Sequence, residues 1–269
     1  MLALATILIG STSSHVDQDY LNGMLFDHAA IAAARPKTVL SKVLMTDKGL
    51  KTDGAVCLDG TDAGFYFVSA ADPSKSTSWQ LYFEGGGWCY DEEDCYDRSF
   101  TGLGSSTSWP SNMTAGGIMS GNCTINPDFC NFNRVVMKYC DGDSFASERS
   151  DAVAVNGKPL YFRGQRILKA VLSTLHAKYN LGEATEVLLT GCSAGGLAAF
   201  LHADAVHAAV KSIAPHLHRF KVRSQISHNL AYYPTISPFH GLPWPSMASA
   251  TSPPARHAGR THIWLLPRP

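Results

Sequence analysis

The chain has 269 residues, enough to bury a substantial hydrophobic core, and we take it as a single domain. Its 22 basic and 22 acidic side chains cancel, which excludes an electrostatic surface for nucleic acid or an anionic membrane, so we expect neither partner. Residues 1–14 begin with an apolar stretch that is too short to span a bilayer; we predict a signal peptide there, although the usual basic start is lacking.

Apolar stretches alternate with segments of helical periodicity, an order typical of an α/β fold. In chain order, FYFV (65–68) predicts a strand at the sheet edge and WQLYFEGG (79–86) predicts a second strand. RVVMKYC (134–140) and EVLLTGC (186–192) are short, β-branched and apolar, as buried strands of a mostly parallel sheet are. Residues 164–180 between them carry apolar side chains at helical spacing, which predicts a strand–helix–strand unit.

The last third of the chain divides into a predicted helix and an unpatterned tail. The helix should end near Lys211, and its histidines, His202 and His207, are expected to face solvent. No Asp or Glu follows Asp204, and residues 215–269 are rich in proline and histidine with neither helical nor strand periodicity. Because such segments seldom fold, we expect this tail to be disordered or loosely packed.

Seven cysteines indicate an oxidising compartment. Six are clustered between residues 57 and 140, which suggests a disulfide framework and hence secretion, whereas the paired CxxC spacings of a zinc site are lacking. Six cysteines allow fifteen pairings, of which we favour Cys89–Cys95 first, then Cys57–Cys140 and Cys123–Cys130. We predict no metal and no other cofactor. The sequons at Asn112 and Asn122 agree with secretion and are candidate glycosylation sites.

Two glycine-rich motifs carry the candidate chemistry, and the first is the G-x-S-x-G pattern around Ser193, between a predicted strand and a helix of small residues. A serine attacks an ester only when a base takes its proton, and the transition state needs donors for the developing oxyanion. The pattern predicts that Ser193 is a nucleophile raised on a sharp turn and that the N–H of Ala194 is one oxyanion donor. A serine in a glycine-rich bend without catalytic role is the alternative.

The second motif, EGGGWC (84–89), follows an earlier strand, where α/β-hydrolases place the loop that completes the oxyanion hole. Its glycines would let the N–H groups of Gly86 and Gly87 approach a substrate carbonyl closely. A flexible loop fastened by a disulfide is the alternative. Both motifs stand at predicted strand ends in the expected order, which favours the catalytic interpretation.

Five segments, taken in order, resemble the pectin acetylesterase family of carbohydrate esterases, whose relatives include the Notum carboxylesterases. They are GAVCLDG (54–60), YFEGGGWCYDEEDC (82–95), NPDFCNFNRVVMKYCDGDSF (126–145), YFRGQRIL (161–168) and LLTGCSAGGLAAFLHAD (188–204). The resemblance implies an α/β-hydrolase-like three-layer fold with a mostly parallel sheet, and a secreted serine esterase that removes acetyl groups from pectin. It matches Ser193 to the nucleophile and Gly86, Gly87 and Ala194 to the oxyanion donors.

The resemblance covers residues 39–214, which it identifies as the N-terminal part of the domain, and then stops. In the family, the catalytic triad follows the chain order Ser, Asp, His. After Ser193 this Asp and His are not found, since no acid follows Asp204 and no downstream histidine has a family-like context. We therefore expect a fold truncated after the nucleophile helix and activity well below that of a complete member. Asp141 and Asp143 match a family segment near the site and are expected to order a loop rather than react.

Two other functions stay open from the sequence. One is a carboxylesterase of the Notum type acting on a fatty acyl ester. The other is a non-catalytic carbohydrate-binding protein that retains the nucleophile half of the fold.

Overall fold

The computed structural model describes residues 38–46 and 54–225. The predicted signal peptide and the tail from residue 226 onward lie outside the described residues. The strands are β1 Thr38–Leu44, β2 Gly64–Val68, β3 Ser78–Phe83, β4 Asn112–Ala115, β5 Asn133–Met137, β6 Val153–Val155, β7 Lys158–Leu160, β8 Glu186–Cys192 and β9 Arg219–Gln225. The α-helices are α1 Glu92–Arg98, α2 Gly164–Tyr179, α3 Ala194–Leu201 and α4 Ala203–Ile213.

Seven strands form the central sheet in the order β4-β1-β2-β5-β3-β8-β9, and β6 and β7 form a separate hairpin. Strands β5, β3, β8 and β9 run parallel to one another, whereas β4, β1 and β2 add an antiparallel flank. The predicted α/β fold with a mixed, mostly parallel sheet is confirmed. Both glycine motifs follow strands of the parallel part, so both lie at its carboxyl-terminal edge.

The strand predicted at residues 65–68 forms, but its expected position at the sheet edge is wrong. β2 pairs with β1 on one side and with β5 on the other. Its consecutive residues Phe65 and Tyr66 are 0% and 1% exposed, because both faces of the sheet are covered at this point. The true edge strand on this side is the short β4, which the sequence analysis did not predict.

Helix α2 connects β5 to β8 and confirms the predicted strand–helix–strand unit, with β3 inserted between the two strands. Its apolar stripe, which includes Ile167, Val171 and Leu175, is fully buried in the main core. The helix ends at Asn180, whose left-handed backbone (φ 62°) lets its N–H bond the carbonyl of Leu175. The core therefore lies mainly between α2–α4 and one face of the parallel strands.

The single helix expected to follow Ser193 is instead two helices, α3 and α4, which meet at His202. The bend turns His202 inward, so the prediction that it faces solvent is wrong: it is only 9% exposed and its ring lies 6.0 Å from that of Phe83. His207 is exposed, as expected, and rests against Phe220.

The expected loss of regular structure after residue 214 is wrong for Arg219–Gln225, which form β9 parallel to β8. Phe220 and Val222 alternate with basic residues and pack against the main core, which is the period-two pattern of a strand. The sheet therefore continues one strand beyond the nucleophile helices.

All three favoured disulfides are confirmed: Cys57–Cys140, Cys89–Cys95 and Cys123–Cys130. The remaining cysteine, Cys192, is free and exposed. Within the described ranges, no helix combines the length and the apolar character needed to cross a bilayer.

Candidate active site

Ser193 lies on the turn between β8 and α3 and has an unusual backbone, with φ 57° and ψ −126°. Residues other than glycine rarely adopt positive φ, and such strain is found mostly at functional sites. The N–H of Ser193 donates a hydrogen bond of 2.7 Å to the carbonyl of Gln225, which fastens the turn to the end of β9. Its side chain is exposed at the start of the helix. This geometry favours the raised nucleophile over an ordinary glycine bend.

The glycines that flank Ser193 are required by close backbone packing. A Cβ on Gly191 would stand 2.0 Å from the carbonyl oxygen of Gly195, and a Cβ on Gly195 would stand 2.1 Å from that of Phe83. Atoms cannot approach so closely, so any larger residue would push strand β8, helix α3 and strand β3 apart. The G-x-S-x-G spacing is therefore explained by packing at the point where these elements meet.

The EGGGWC loop touches this elbow directly. A Cβ on Gly85 would stand 2.3 Å from the carbonyl oxygen of Cys192, so the two backbones are in contact. The next two residues have positive φ, 148° at Gly86 and 69° at Gly87. Their carbonyls are held by the protein: Arg98 Nη1 donates to Gly86 O at 3.1 Å, and the Tyr139 hydroxyl donates to Gly87 O at 2.7 Å.

Three amides at this junction lack a protein acceptor in the described part of the chain, although Ala194 itself is 0% exposed. Among residues 38–46 and 54–225, the N–H groups of Gly86, Gly87 and Ala194 donate to no protein acceptor. These are the same three groups that the sequence analysis predicts as oxyanion donors. Their role in catalysis stays a prediction.

The segment YCDGDSF (139–145) packs next to both glycine motifs, and Asp141 holds its backbone in place. This carboxylate is fully buried, and its Oδ2 accepts hydrogen bonds from the N–H groups of Phe145 (2.9 Å) and Asp143 (3.3 Å). Burial, and secondarily the charge of Asp143, raise the pKa of Asp141 to about 7. These contacts agree with the expected loop-ordering role for Asp141.

Within the described part of the chain, no side chain forms a hydrogen bond with the Ser193 hydroxyl. His202 lies at the opposite end of α3 from Ser193, where its Nε2 is 3.3 Å from the carbonyl oxygen of Ser144. Burial lowers the pKa of His202, so its imidazole is neutral at pH 7. The described residues thus supply a nucleophile position and amide donors, but no partner for the serine proton.

The free thiol of Cys192 opens onto a cavity of about 340 Å³ beside the elbow, at the junction of β3, β8 and β9. Its lining combines backbone with polar and apolar side chains, among them Tyr82, Thr190, Arg223 and Gln225. No group of three or more His, Cys, Asp or Glu side chains that could hold a metal ion is found in the described ranges.

Several residues that shape this site were not identified from the sequence. Arg98, Tyr139 and Ser144 each bond to one or both of the two glycine motifs. None has a local pattern that distinguishes it, since each acts on a partner far away in the chain. Of the candidate glycosylation sites, Asn112 is exposed at the start of β4 and Asn122 is half-buried; their modification stays a prediction.

Comparison with known sequences identifies relatives among plant esterases. The chain is 43% identical to pectin acetylesterase 5 of Arabidopsis thaliana over 154 residues, which is 57% of this chain and 35% of that protein. It is 37% identical to pectin acetylesterase 11 of the same plant over 211 residues, or 74% of this chain and 52% of that protein. The chain therefore spans about a third to a half of the length of these curated relatives.

The animal enzymes are more distant. The chain is 36% identical to the palmitoleoyl-protein carboxylesterase NOTUM of Mus musculus over 161 residues, 58% of this chain and 30% of that protein. Among solved structures, the Wnt deacylase Notum from Drosophila superposes with a TM-score of 0.59 at 29% identity, covering 69% of this chain and 51% of that one. A model of the pectinacetylesterase family matches residues 35–217, well over half of the sequence, and so this chain belongs to the pectinacetylesterase family.

Proposed function

We propose that this chain is the nucleophile-bearing part of a secreted serine esterase that removes acetyl groups from pectin. The observation that carries the proposal is the strained backbone of Ser193 at the start of α3, beside three unpartnered amides. Three relatives that are 42–43% identical to this chain are named pectin acetylesterases. Three disulfides support secretion, since they persist in an oxidising compartment.

In the proposed reaction, Ser193 Oγ attacks the carbonyl carbon of the acetyl ester while a general base takes the hydroxyl proton. The N–H groups of Gly86, Gly87 and Ala194 donate to the oxyanion of the tetrahedral intermediate. The C–O bond to the sugar then breaks, the sugar oxygen takes a proton, and water hydrolyses the acetyl-serine to acetate. Because no base contacts Ser193 in the described residues, we expect slower turnover than in a complete relative.

The test compares the chain with its Ser193→Ala variant in acetate release from acetylated pectin and in hydrolysis of 4-nitrophenyl acetate. We expect turnover that depends on Ser193 and covalent labelling of Ser193 by a fluorophosphonate, read by mass spectrometry. Equal rates for the two proteins, with no labelling, would exclude a serine esterase. Turnover as fast as that of a full-length family member would contradict the expected weak activation of the serine.

Cys192 provides the necessary control, because an exposed thiol next to Ser193 can also accept an acetyl group from an activated ester. The Cys192→Ala variant should keep the Ser193-dependent rate. If turnover is lost in the Cys192→Ala variant instead, the thiol is the reacting group and the proposal is contradicted.

Two competing functions predict different results in the same assays. A carboxylesterase of the Notum type, suggested by relatives at 33–36% identity, would prefer 4-nitrophenyl octanoate to the acetate. A non-catalytic carbohydrate-binding protein would retain acetylated pectin in a pull-down without releasing acetate. The higher identity to pectin acetylesterases favours acetyl transfer over both.

A further inference from the structure

The two halves of the candidate oxyanion hole are joined through a third segment. Among the described residues, no backbone hydrogen bond links the loop 85–89 to the elbow 191–196. A Cβ on Gly85 would stand 2.3 Å from the carbonyl oxygen of Cys192 and 3.3 Å from the N atom of Gly195, so the loop packs closely against the elbow. The pairing of β3 with β8 up to Phe83 and Gly191 sets where the two backbones begin, and a bond beyond this point would fix how their amides are oriented.

Ser144 bonds to both halves with one hydroxyl. The indole Nε1 of Trp88 donates to Ser144 Oγ at 2.6 Å, and Ser144 Oγ donates to the carbonyl of Ala194 at 3.1 Å. Ser144 is only 2% exposed, so water does not compete for these bonds. A single side chain thus connects the end of the glycine loop to the first residue of the elbow helix.

The backbone of Ser144 extends this link through Tyr139. The N–H of Ser144 donates to the Tyr139 hydroxyl at 3.2 Å, and that hydroxyl donates to the carbonyl of Gly87 at 2.7 Å. Burial raises the pKa of Tyr139, so its hydroxyl stays protonated and remains a donor. Both the side chain and the backbone of Ser144 therefore act on the glycine loop.

The backbone conformation at position 144 would suit glycine better than serine. The reason for a serine at this position is therefore its hydroxyl. Its φ is 50°, in the left-handed region that glycine adopts without strain and other residues adopt at a cost of about 1 kcal/mol or more. A glycine would relieve this strain but would leave the indole of Trp88 without its acceptor and the Ala194 carbonyl without its donor.

We propose that Ser144 is a positioning residue, which fixes the separation and orientation of the Gly86/Gly87 amides relative to the Ala194 amide. The proposal rests on the esterase function above, because these amides matter only if an oxyanion forms between them. Ser144 itself does not touch the substrate. Its loss should weaken binding of the transition state more than binding of the ester, lowering kcat with little change in KM.

The test uses Ser144→Ala and Ser144→Gly, with Ser147→Ala as the matched control. Ser147 lies in the same segment, but its hydroxyl bonds Asp141 and the N–H of Gly164 instead of the two glycine motifs. We expect both Ser144 variants to lower kcat for 4-nitrophenyl acetate about tenfold with unchanged KM, and Ser147→Ala to leave kcat unchanged.

Each contrary result overturns the proposal in a different way. An equal loss in Ser147→Ala would assign the effect to general disorder of the segment. Recovery of kcat in Ser144→Gly would assign it to backbone strain. A rise in KM at constant kcat would place Ser144 in substrate binding.

A second measurement does not depend on turnover, so it separates failure of this inference from failure of the proposed function. Amide hydrogen exchange of residues 84–89, read by mass spectrometry, should be faster in both Ser144 variants and unchanged in Ser147→Ala. If the wild-type chain shows no Ser193-dependent turnover, the esterase proposal fails but this result still supports the link. Unchanged exchange in the Ser144 variants would exclude the link itself.

Discussion

At the elbow, backbone atoms stand 2.0–2.5 Å from where a Cβ would be on Gly191, Gly195 or Gly196, whereas nothing lies within 4 Å of the same position on Gly87 in the glycine loop. Both regions are rich in glycine, but for different reasons. The elbow is fixed by the packing of its own backbone against β3 and β9, and even its serine is strained. In the loop, Gly85 and Gly86 are crowded by Cys192 and Leu103, but Gly87 has open space around it and is held by bonds to residues elsewhere in the chain.

The bonds that hold the loop come from two separate parts of the chain, α1 and the segment after β5. Arg98 in α1 and Tyr139 after β5 bond its carbonyls, and Cys89 is linked to Cys95. The segment that carries Tyr139 is in turn joined to the N-terminal region by Cys57–Cys140. Removing a cross-link should therefore disturb the loop, whereas replacing a glycine by a larger residue should disturb the elbow.

The largest effect is expected from removing the Cys57–Cys140 disulfide by replacing both cysteines with alanine. The bridge joins residues 83 positions apart, and closing a loop of that size in the unfolded chain is worth about 4–5 kcal/mol. We expect a loss of this order in urea unfolding at pH 7. Removing Cys123–Cys130, which spans 7 positions, should cost only about 2 kcal/mol; equal losses would show that loop length does not govern the effect.

The next effect is expected from Gly195→Ala at the elbow. The new Cβ would overlap the carbonyl oxygen of Phe83 at 2.1 Å, and moving α3 away should cost about 3 kcal/mol. Thermal unfolding followed by circular dichroism measures this loss. Gly116→Ala, where nothing lies within 4 Å, is the control and should change stability little. A fully stable Gly195→Ala protein would contradict the tight packing.

The segment between the two regions should make stability depend on pH. Burial raises the pKa of Asp141 to about 7, above its value of about 3.9 in an unfolded chain. The folded protein therefore holds this proton more tightly, so the stabilisation is complete below about pH 4 and is lost as the pH rises through about 7.

Asp141→Asn should flatten this part of the pH profile, because an amide does not titrate in this range. Urea unfolding at pH 5, 6, 7 and 8 measures the difference between variant and wild type. Asp128→Asn, at an exposed carboxylate, is the control and should leave the profile unchanged. The same change in stability from pH 5 to pH 8 in all three proteins would contradict the assignment to Asp141.

The smallest effect on stability is expected from Gly87→Ala, since its surroundings are open and only the positive φ of 69° is unfavourable. We expect a loss of about 1 kcal/mol together with a clear drop in Ser193-dependent turnover. Gly157→Ala, at φ 78° in the open β6–β7 turn, should lose the same stability without losing activity. Identical activity in the two variants would argue against a role for the Gly87 amide.

Much of the fold near the nucleophile could be predicted because its determinants are contiguous. An apolar strand, a G-x-S-x-G turn and a helix of small residues define β8, Ser193 and α3 within sixteen positions. The same holds for α2, whose apolar stripe lies within one helix. The disulfide pairs were predicted correctly as well, and the short ones join cysteines 6 and 7 positions apart.

The predictions were wrong where the position of a strand or side chain depends on which elements pack next to it. The sequence of β2 is that of a strand, but its interior place depends on β1 and β4 adding to the sheet beyond it. On one regular helix His202 would be exposed. It is buried because the helix bends there and places its ring beside Phe83. β9 has a short alternating pattern that basic residues and nearby prolines conceal.

The sequence by itself determined the place of Ser193 between a strand and a helix, the two glycine motifs, and the strand–helix–strand unit around α2, since each depends on residues adjacent in the chain. Only the tertiary structure decided how Ser144, about fifty positions from both Trp88 and Ala194, joins the two motifs. A hydroxyl has no preferred partner until the sheet brings one within about 3 Å, so its role is set by the topology rather than by local pattern.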